Sequence, residues 1–401
     1  MPISNVDVPN YPFGIPQADD DDSGLARLRD EAPVCQVRLP DGQLGWLVTR
    51  YQDIKQVLTD PNLSRAATIE PGAPSLLPGV NAPGMMINMD PPEHTRVRRL
   101  VARAFTARAV DRLRPRIEAI ASGLLDDLAA AGPPGDLLNG FTRPLTTTVI
   151  CELLGIPFAD RDRMDGLVEL LGAEVLPPME EMMSVLTAAS GYLLELIARR
   201  RAEPADDVLS ALVAVHDEDN DQLSTDELLQ TALLIFVAGH DTTLNQLANS
   251  VRTLVGHPDQ LARLLADPTI YPAAAEELLR FVRLTSAAFG RIATADTEVG
   301  GVPIRAGEAV FPIFHSGNRD PAAFDRPDEL DLTRAGAANQ LQFGHGIHHC
   351  LGAALARAEL EIGLRAIFTR FPTLRLAADD AELSWLPNTA VRRLRGLPVS
   401  W

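Results

Sequence analysis

The sequence is poor in lysine: Lys55 is the only one in 401 residues, and arginine supplies the other strongly basic side chains. Asp and Glu together number 54 against 36 for Lys and Arg, which gives a formal net charge of −18. Nucleic acids and anionic membrane surfaces repel such an acidic chain, because they also carry negative charge. We therefore expect neither as a partner.

Cysteine is also scarce. Cys35, Cys151 and Cys350 are odd in number and far apart, so they indicate a reducing, intracellular setting and no disulfide framework. The first 22 residues lack a basic region followed by an apolar run, which argues against a secretory signal. The longest apolar stretches, such as 232–239, are too short to span a bilayer. These absences predict a cytoplasmic protein.

Helical periodicity dominates the chain. The clearest helix runs over 223–255, where Ser224 and Glu227 have the spacing of a capping box and Gly256 follows the last turn. Its first half is apolar on every face, which is typical of a helix that crosses the middle of a protein. Further helices are predicted at 95–110, 112–131, 145–154, 160–173, 180–201, 272–283 and 351–370.

Strand patterns are few. Residues 46–50 fit a strand, and residues 297–304 predict a hairpin around Gly300 and Gly301. The Pro- and Gly-rich stretch 71–92 predicts a long loop. The sequence shows no internal repeat and no linker. We predict a mainly α fold with a small β-sheet region, in a single domain over 1–401.

A loop rich in histidine and glycine precedes the last predicted helix, where residues 340–360 read QLQFGHGIHHCLGAALARAEL. Cys350 lies at the start of that helix, and the helix dipole and unpaired backbone N–H groups there favour the thiolate. Gly344, Gly346 and Gly352 permit a tight turn and the close approach of backbone or cofactor. A lone thiolate among backbone donors suits a single metal ligand. The alternatives are a structural zinc site, for which paired ligand spacing is missing, and an inert buried cysteine.

The string FGHGIHHCLG resembles the haem-binding signature of the cytochrome P450 family, Phe-Gly-x-Gly-x-His/Arg-x-Cys-x-Gly. Every position of that signature is met, by Phe343, Gly344, Gly346, His348, Cys350 and Gly352. The resemblance implies the P450 fold with a long central helix, haem b as the cofactor, and Cys350 as the proximal ligand of its iron. A thiolate in that position supplies electron density that favours O–O cleavage.

Residues 238–243, AGHDTT, resemble the family's oxygen-activation motif. Ala238 and Gly239 remove bulk from a buried helix and leave space for a small ligand. Asp241 and Thr242 place an acid and a hydroxyl in an apolar run, where burial costs free energy unless they are paired or used. Thr242 can also donate to the carbonyl four residues earlier and bend the helix. The resemblance implies that Asp241 and Thr242 deliver protons and that Ala238 borders the haem; a solvated polar patch or a kink is the alternative.

The segment 276–280, EELLR, matches the family's ExxR motif. Its Glu277 and Arg280 share a helix face and can pair. The resemblance makes them a buried structural pair behind the haem, completed by Arg319. An exposed helix salt bridge is the alternative.

The segment 89–101, MDPPEHTRVRRLV, resembles the part of the family that contacts the haem propionates. Propionates are carboxylates, which need cations or hydrogen-bond donors. His94 and Arg98 are four residues apart on one helix face, and the pattern implies Arg291 and His348 as further partners. A plain surface cation is the alternative for each.

Eight arginines and one acid, Asp111, lie between Arg96 and Arg116. They form either a solvated face or a docking patch for an acidic electron donor, since complementary charge steers encounter. The resemblance implies electrons from NAD(P)H, delivered by a ferredoxin-like donor and its reductase. We expect the chain to act as a monomer.

By the same resemblance, four parts of the chain line a substrate pocket: Met85, Met86, Ile87, Leu234, Ala238, Thr242, Ser286, Ala287, Phe289, Asn388 and Thr389. Residues 171–186 would form part of a mobile lid, where Met179, Met182 and Met183 suit an adaptable apolar mouth; plain core packing of these methionines is the alternative. The sequence departs from the family at Leu284, where relatives often have proline.

The sequence therefore predicts a haem-thiolate monooxygenase that inserts one oxygen atom from O₂ into a hydrophobic organic substrate. Analogy with actinobacterial tailoring enzymes points to hydroxylation or epoxidation of a polyketide or macrolide-type natural product. The alternatives are another oxidation on the same haem, such as phenol coupling or dehydration, and a non-enzymatic haem-thiolate sensor. The acid–alcohol pair and the arginine run argue against the sensor.

Overall fold

The computed structural model describes residues 8–11, 23–76, 84–103, 105, 107–172, 177–218, 223–285, 289–386 and 391–401. Four predicted pocket residues lie outside these ranges, namely Ser286, Ala287, Asn388 and Thr389, as do residues 173–176 of the predicted lid.

Helices make up most of the described chain, as the sequence predicts. They are α1 (Ser23–Glu31), α2 (Tyr51–Thr59), α3 (Glu93–Ala102), α4 (Ala107–Ala131), α5 (Arg143–Leu154), α6 (Asp165–Gly172), α7 (Met179–Ala202), α8 (Val208–Glu218), α9 (Thr225–Val255), α10 (Pro258–Ala266), α11 (Tyr271–Phe281), α12 (Phe314–Asn318) and α13 (Ala353–Arg370).

The strands within the described ranges are short and form three small sheets. They are β1 (Val34–Arg38), β2 (Leu44–Val48), β3 (Leu63–Ser64), β4 (Gly135–Asp136), β5 (Arg291–Ala293), β6 (Thr297–Val299), β7 (Val302–Ile304), β8 (Ala309–Pro312), β9 (Arg375–Leu376) and β10 (Pro398–Ser400). The largest sheet has the order β1-β2-β8-β5-β3, and β2 runs parallel to β8 within it. A second sheet has the order β4-β10-β9, and β6 pairs with β7 alone.

Helix α9 crosses the main hydrophobic core, which confirms the strongest prediction from the sequence. Its capping box is present: the Ser224 hydroxyl accepts from the Glu227 N–H at 3.1 Å, and the Glu227 carboxylate accepts from the Ser224 N–H at 2.7 Å. Helices α5, α7, α8, α10 and α13 pack around it. With 31 residues the helix is about 46 Å long at 1.5 Å per residue.

Glycine at 239 serves the packing of α9 on α5. A Cβ built there would lie 2.5 Å from Ile150 Cδ1, well inside van der Waals contact. The prediction that Gly239 leaves space for a ligand was therefore wrong, because the missing side chain is replaced by a neighbouring helix.

Other predictions were confirmed or corrected at element boundaries. The β6–β7 hairpin turns at Gly300 and Gly301 with φ of 55° and 81°, the left-handed values that a two-residue turn of this type requires. The predicted break at 110–112 was wrong, since α3 ends at Ala102 and α4 begins at Ala107. Buried Val110, Ile117 and Ala121 keep helical spacing across the predicted break. Helices α1, α2, α8, α10 and α12 were not predicted.

The carboxylate of Glu277 is completely buried and pairs with two arginines. Arg280 donates to both carboxylate oxygens at 2.8 Å, which confirms the predicted pair. The second partner is Arg334, whose Nε lies 3.0 Å from Oε1, and so the prediction of Arg319 was wrong. Arg319 instead donates to the Phe281 carbonyl at 2.9 Å. Arg334 lies nine residues before Phe343, where the haem-binding signature begins, in a stretch without a motif, so nothing local in the sequence marks it.

One described helix, Met179–Ala202, is long and apolar enough to cross a bilayer by length and composition alone, and 28% of its most apolar window is buried inside the protein. A single helix of this kind is weak support for a membrane span, since helices of soluble proteins pass the same test.

Removal of the charge at Glu277 tests the buried ion pairs. Glu277→Gln is expected to lower the free energy of unfolding by about 3–5 kcal/mol, because it leaves Arg280 and Arg334 without a counter-charge. Glu329→Gln is the matched control, since Glu329 pairs with Arg326 at the surface and a surface pair contributes at most about 1 kcal/mol. Equal effects of the two substitutions in urea unfolding would contradict this assignment.

The contact between α9 and α5 gives a second test. Gly239→Ala is expected to lower the thermal midpoint, since overpacking costs about 1–3 kcal/mol. Gly191→Ala makes the same change in α7, where the new Cβ meets nothing within 4 Å, and it is expected to stabilise by up to about 1 kcal/mol. The packing argument fails if Gly239→Ala raises the midpoint as Gly191→Ala does.

Candidate functional site

The loop before α13, residues 343–352, is called the cysteine loop. Backbone hydrogen bonds and glycines determine its conformation. The Cys350 N–H donates to the Phe343 carbonyl at 2.8 Å, so the first residue of the signature lies beside its cysteine. Gly344 and Gly346 have φ of 70° and 71°, in the left-handed region that favours glycine. A Cβ at Gly346 would also lie 2.7 Å from the Leu58 carbonyl oxygen, so α2 confines the loop from one side.

Gly352 has a different role. Its φ of −83° suits any residue, and a Cβ there would meet nothing within 4 Å. Its backbone conformation therefore does not require glycine, and open space lies beside it in the cysteine loop. Such space is what close approach of a bound group to this part of the loop requires.

Cys350 has solvent-exposed surface, although many protein groups surround its sulfur. Burial raises the pKa of the Cys350 thiol, while the hydrogen bond from the Gly352 backbone and the charges of Arg98 and Arg357 lower it. The predicted donors are thus present, but they do not outweigh desolvation for the free thiol. A bound metal ion changes this balance, because a coordinating thiol loses its proton.

The cysteine loop is fastened to α11 by Arg357. The guanidinium of Arg357 lies 4.6 Å from the centre of the Phe343 ring and forms an ion pair with Glu276. A cation over an aromatic face is attracted to it, and the ion pair fixes the other side of the same group. Phe343 is buried between these partners.

Two histidines and two arginines from distant segments meet beside this loop. The rings of His94 and His348 lie 4.2 Å apart, and Arg98 donates to the His349 carbonyl. Arg291 is buried and makes one weak contact, at 3.4 Å, with the Leu63 carbonyl. The structure therefore brings together the four residues that the sequence predicts for the propionates.

Several polar atoms of this cluster are buried without a hydrogen-bond partner among the residues that the structure describes: His94 Nδ1 and Nε2, His348 Nε2 and Arg291 Nε. Leaving a buried polar group unpaired costs about 1–3 kcal/mol. Arg291 Nε carries an N–H, and each neutral imidazole carries one N–H on one of its two nitrogens. The cluster therefore offers donors to an acceptor that bears negative charge. Carboxylates supply that acceptor, so these residues fit the propionates of a haem.

The electrostatics of the cluster agree with this. Desolvation, and then the positive charge of Arg98, lowers the pKa of His94 to about 4. The pKa of His348 falls to about 2 through desolvation and its cationic neighbours. Burial lowers the pKa of Arg291 to about 10, although Asp90 opposes that shift. Desolvation is the largest cause of each shift, and neighbouring positive charges add to it for His94 and His348.

Sequence reasoning missed one member, Arg65. It is 3% exposed, and its charge contributes to the lowered pKa of His348. Desolvation and the charge of Arg291 lower the pKa of Arg65 itself to about 10. Arg65 follows the short strand β3 in a stretch without a motif, and so no sequence signal pointed to it.

The acid and the alcohol of α9 both have partners. Thr242 donates to the Ala238 carbonyl at 2.6 Å, the predicted bond within the helix. Asp241 accepts from Arg393 at 2.7 Å and from the Asn245 side chain at 3.2 Å. Burial raises the pKa of Asp241, and Arg393 opposes that shift. This arrangement places a buried acid within reach of a cation from the C-terminal segment.

Part of α9 is accessible although the helix is otherwise buried. Leu234, Ala238 and Thr242 are four residues apart, so they share one helix face, and none of them is fully buried. Ala238 is exposed at the middle of the helix, where small side chains leave room beside them. Of the other predicted pocket residues, Phe289 is 47% exposed, whereas Met86 packs in the main core.

The arginine run is more neutral than the sequence predicts. Four of its members form ion pairs with acids from other parts of the chain: Arg96 with Glu227, Arg112 with Asp206, Arg114 with Glu361, and Arg116 with Glu152. Arg99 and Arg103 are exposed. The net positive charge of the arginine run is therefore smaller than the local sequence suggests.

Within the described ranges, no group of three His, Cys, Asp or Glu side chains is placed to hold a metal ion. The zinc alternative therefore lacks a ligand set in the part of the chain that the structure covers.

Known proteins resemble the chain over nearly its whole length. The family model described as Cytochrome P450 matches residues 33–268 and 269–385. Nocardicin C N-oxygenase of Nocardia uniformis subsp. tsuyamanensis is 45% identical over 100% of both chains. Mycinamicin IV hydroxylase/epoxidase of Micromonospora griseorubida is 43% identical over 93% of this chain and 94% of its own.

A solved structure shows the same fold. The LnmA cytochrome P450 hydroxylase from the leinamycin biosynthetic pathway of Streptomyces atroolivaceus S-140 superposes with a TM-score of 0.91 at 41% identity. The match covers 98% of this chain and 100% of that one. The chain therefore belongs to the cytochrome P450 family and is a monooxygenase of the bacterial natural-product-tailoring type, with haem b as its cofactor and electrons supplied by redox partners.

Proposed function

We propose that Cys350 is the proximal ligand of the haem iron, and that this chain uses the haem to insert one atom of O₂ into a hydrophobic natural product. The observation that carries the proposal is an accessible thiol beside buried donors that have no acceptor within the described ranges. Phe343 and Gly344 shape the loop around the sulfur, and open space lies at Gly352. The haem supplies the redox chemistry; the protein binds, orients and moves protons.

The haem propionates are held by His94, Arg98, Arg291 and His348. The two arginines bring charge, and each neutral histidine ring can donate one N–H. Charge-assisted hydrogen bonds of this kind are roughly twice as strong as neutral ones. Ala238 leaves room on the substrate side.

Asp241 and Thr242 carry the proton relay. Asp241 is buried, has a raised pKa and is held by Arg393, so its carboxylate can exchange a proton without facing bulk water. Thr242 has a hydroxyl on the accessible face of α9, four residues from Ala238. A positioned group of this kind typically contributes about 10²–10⁴-fold to a proton-transfer step. The relay also favours an enzyme over a haem-thiolate sensor.

The substrate is proposed to be a polyketide or macrolide-type compound, hydroxylated or epoxidised. The described residues proposed to line its site are mostly apolar: Ile87, Leu234, Ala238, Thr242 and Phe289. Ser286, Ala287, Asn388 and Thr389 complete the proposal from outside the described ranges. N-oxygenation is a second candidate, because the N-oxygenase relative matches the chain from end to end.

We further propose a ferredoxin-like electron donor with its reductase, drawing on NAD(P)H. The exposed Arg99 and Arg103 support an acidic partner on the face of α3, because complementary charge steers encounter. The chain is proposed to act as a cytoplasmic monomer with a single domain over 1–401, in keeping with its free cysteines.

Replacement of the sulfur tests the iron ligand. Cys350→Ala is expected to abolish the ferrous–carbon monoxide Soret band that gives this family its name, because the thiolate is what shifts it. Cys35→Ala is the matched control and is expected to leave the band unchanged, since Cys35 lies in β1, away from the loop. An unaltered band in Cys350→Ala would refute the assignment.

Loss of one hydroxyl tests the proton relay. After a substrate is found by screening compounds for a Soret shift, Thr242→Ala is expected to lower product formed per O₂ consumed by about tenfold or more. Thr243→Ala is the control, because Thr243 is its neighbour in sequence but is buried on another side of α9. Normal coupling in Thr242→Ala would remove this residue from the relay, and a lack of turnover with any compound would favour the sensor.

A further inference from the structure

Arg65 joins two segments that are far apart in sequence. Its Nε donates to the Ile87 carbonyl at 3.0 Å, and one Nη donates to the Asn88 side chain at 2.6 Å. The other Nη donates to the Gly290 carbonyl. A single guanidinium therefore spans the gap between residues 87–88 and residue 290.

The backbone of Arg65 is fixed as firmly as its side chain. The Asp90 carboxylate accepts from the Arg65 N–H at 2.9 Å, from the Ala66 N–H at 3.3 Å and from the Ser64 hydroxyl. The backbone of Arg65 and its guanidinium are thus both bound to the segment 87–90. Arg65 cannot swing away from this segment without breaking several hydrogen bonds.

The second segment is equally restricted. A Cβ at Gly290 would lie 2.5 Å from Phe311 Cε1, so the backbone there is pressed against the main sheet with its carbonyl towards Arg65. The ring of Phe289, the residue before Gly290, lies 5.4 Å from the Arg65 guanidinium, and Phe289 is 47% exposed. A cation over the ring restrains where this exposed side chain points.

These two segments carry residues of both proposed sites. Ile87 and Phe289 belong to the proposed substrate pocket, and Arg291 belongs to the group proposed for the propionates. We propose that Arg65 is a positioning residue that sets the distance between the two walls of the substrate site, and so determines which ligands fit. The proposal rests on the proposed haem function. Lysine cannot replace this residue, because a point charge lacks the fork that reaches three acceptors.

The test compares two probes that bind ferric haem iron through the same group. Imidazole is small and needs little of the pocket wall, whereas 4-phenylimidazole fills the substrate side. In Arg65→Lys, titration of the Soret shift is expected to give an imidazole Kd within about twofold of wild type and a 4-phenylimidazole Kd raised about tenfold, the effect of one lost charged hydrogen bond. Arg29→Lys is the matched control: Arg29 is also buried and donates to Ser316 at 3.0 Å, and both Kd values should stay unchanged.

A ratio of the two Kd values equal to that of wild type would overturn the proposal, even if both affinities fell, because Arg65 would then only support the fold. If Arg65→Lys does not retain haem, Asn88→Ala removes one acceptor while the buried charge stays. It must change the ratio in the same direction, and an unchanged ratio would again overturn the proposal. Failure of the haem function itself would be separate, since wild type would then lack the ferrous–carbon monoxide band.

Discussion

The buried carboxylate of Glu277 fixes the path of the residues that precede the cysteine loop in sequence. A charge without access to water must be paired, since an uncompensated one costs about 3–5 kcal/mol. Arg280 and Arg334 supply that pairing, and Arg280 uses its remaining N–H groups on backbone carbonyls such as that of Asn318, at 2.8 Å. The side chain of Asn318 in turn accepts from the Leu341 N–H at 2.7 Å, two residues before the signature begins. One ion-pair group therefore orders a segment that has little regular structure of its own.

Whether a feature can be predicted from the sequence depends on whether its partners are near or distant along the chain. The capping box at Ser224, the hairpin at Gly300 and the closed loop before Cys350 each depend on residues a few positions apart, so their patterns are visible in the sequence. The partners of Glu277 and Asp241 are different, because Arg334 and Arg393 lie 57 and 152 positions away. Such pairs follow from the tertiary path of the chain. A local pattern predicts that a buried acid needs a cation, but it does not say which one.

The net charge of the arginine run also depends on partners that are distant in sequence. The eight arginines of 96–116 look like a strongly basic patch when only their own segment is counted. In the folded protein, acids that are distant in sequence, such as Glu227 and Glu361, compensate part of that charge. Any partner that docks on this face meets a smaller charge than the sequence suggests, so steering by charge is weaker and its salt dependence is lower.

The cluster around His94 shows the opposite situation, in which compensation is incomplete. Arg65, Arg98 and Arg291 all lower the pKa of His348. The carboxylate that opposes the lowered pKa of Arg65 and Arg291, Asp90, already accepts from backbone and hydroxyl groups. Buried cations and orphaned ring nitrogens raise the free energy of the protein alone. An anionic group bound there lowers it, and a ligand that binds only the folded state stabilises that state. The proposed propionate site would thus also be a part of the fold whose stability depends on its occupant. That would link retention of the cofactor to Arg65, which is proposed to hold the substrate walls in place.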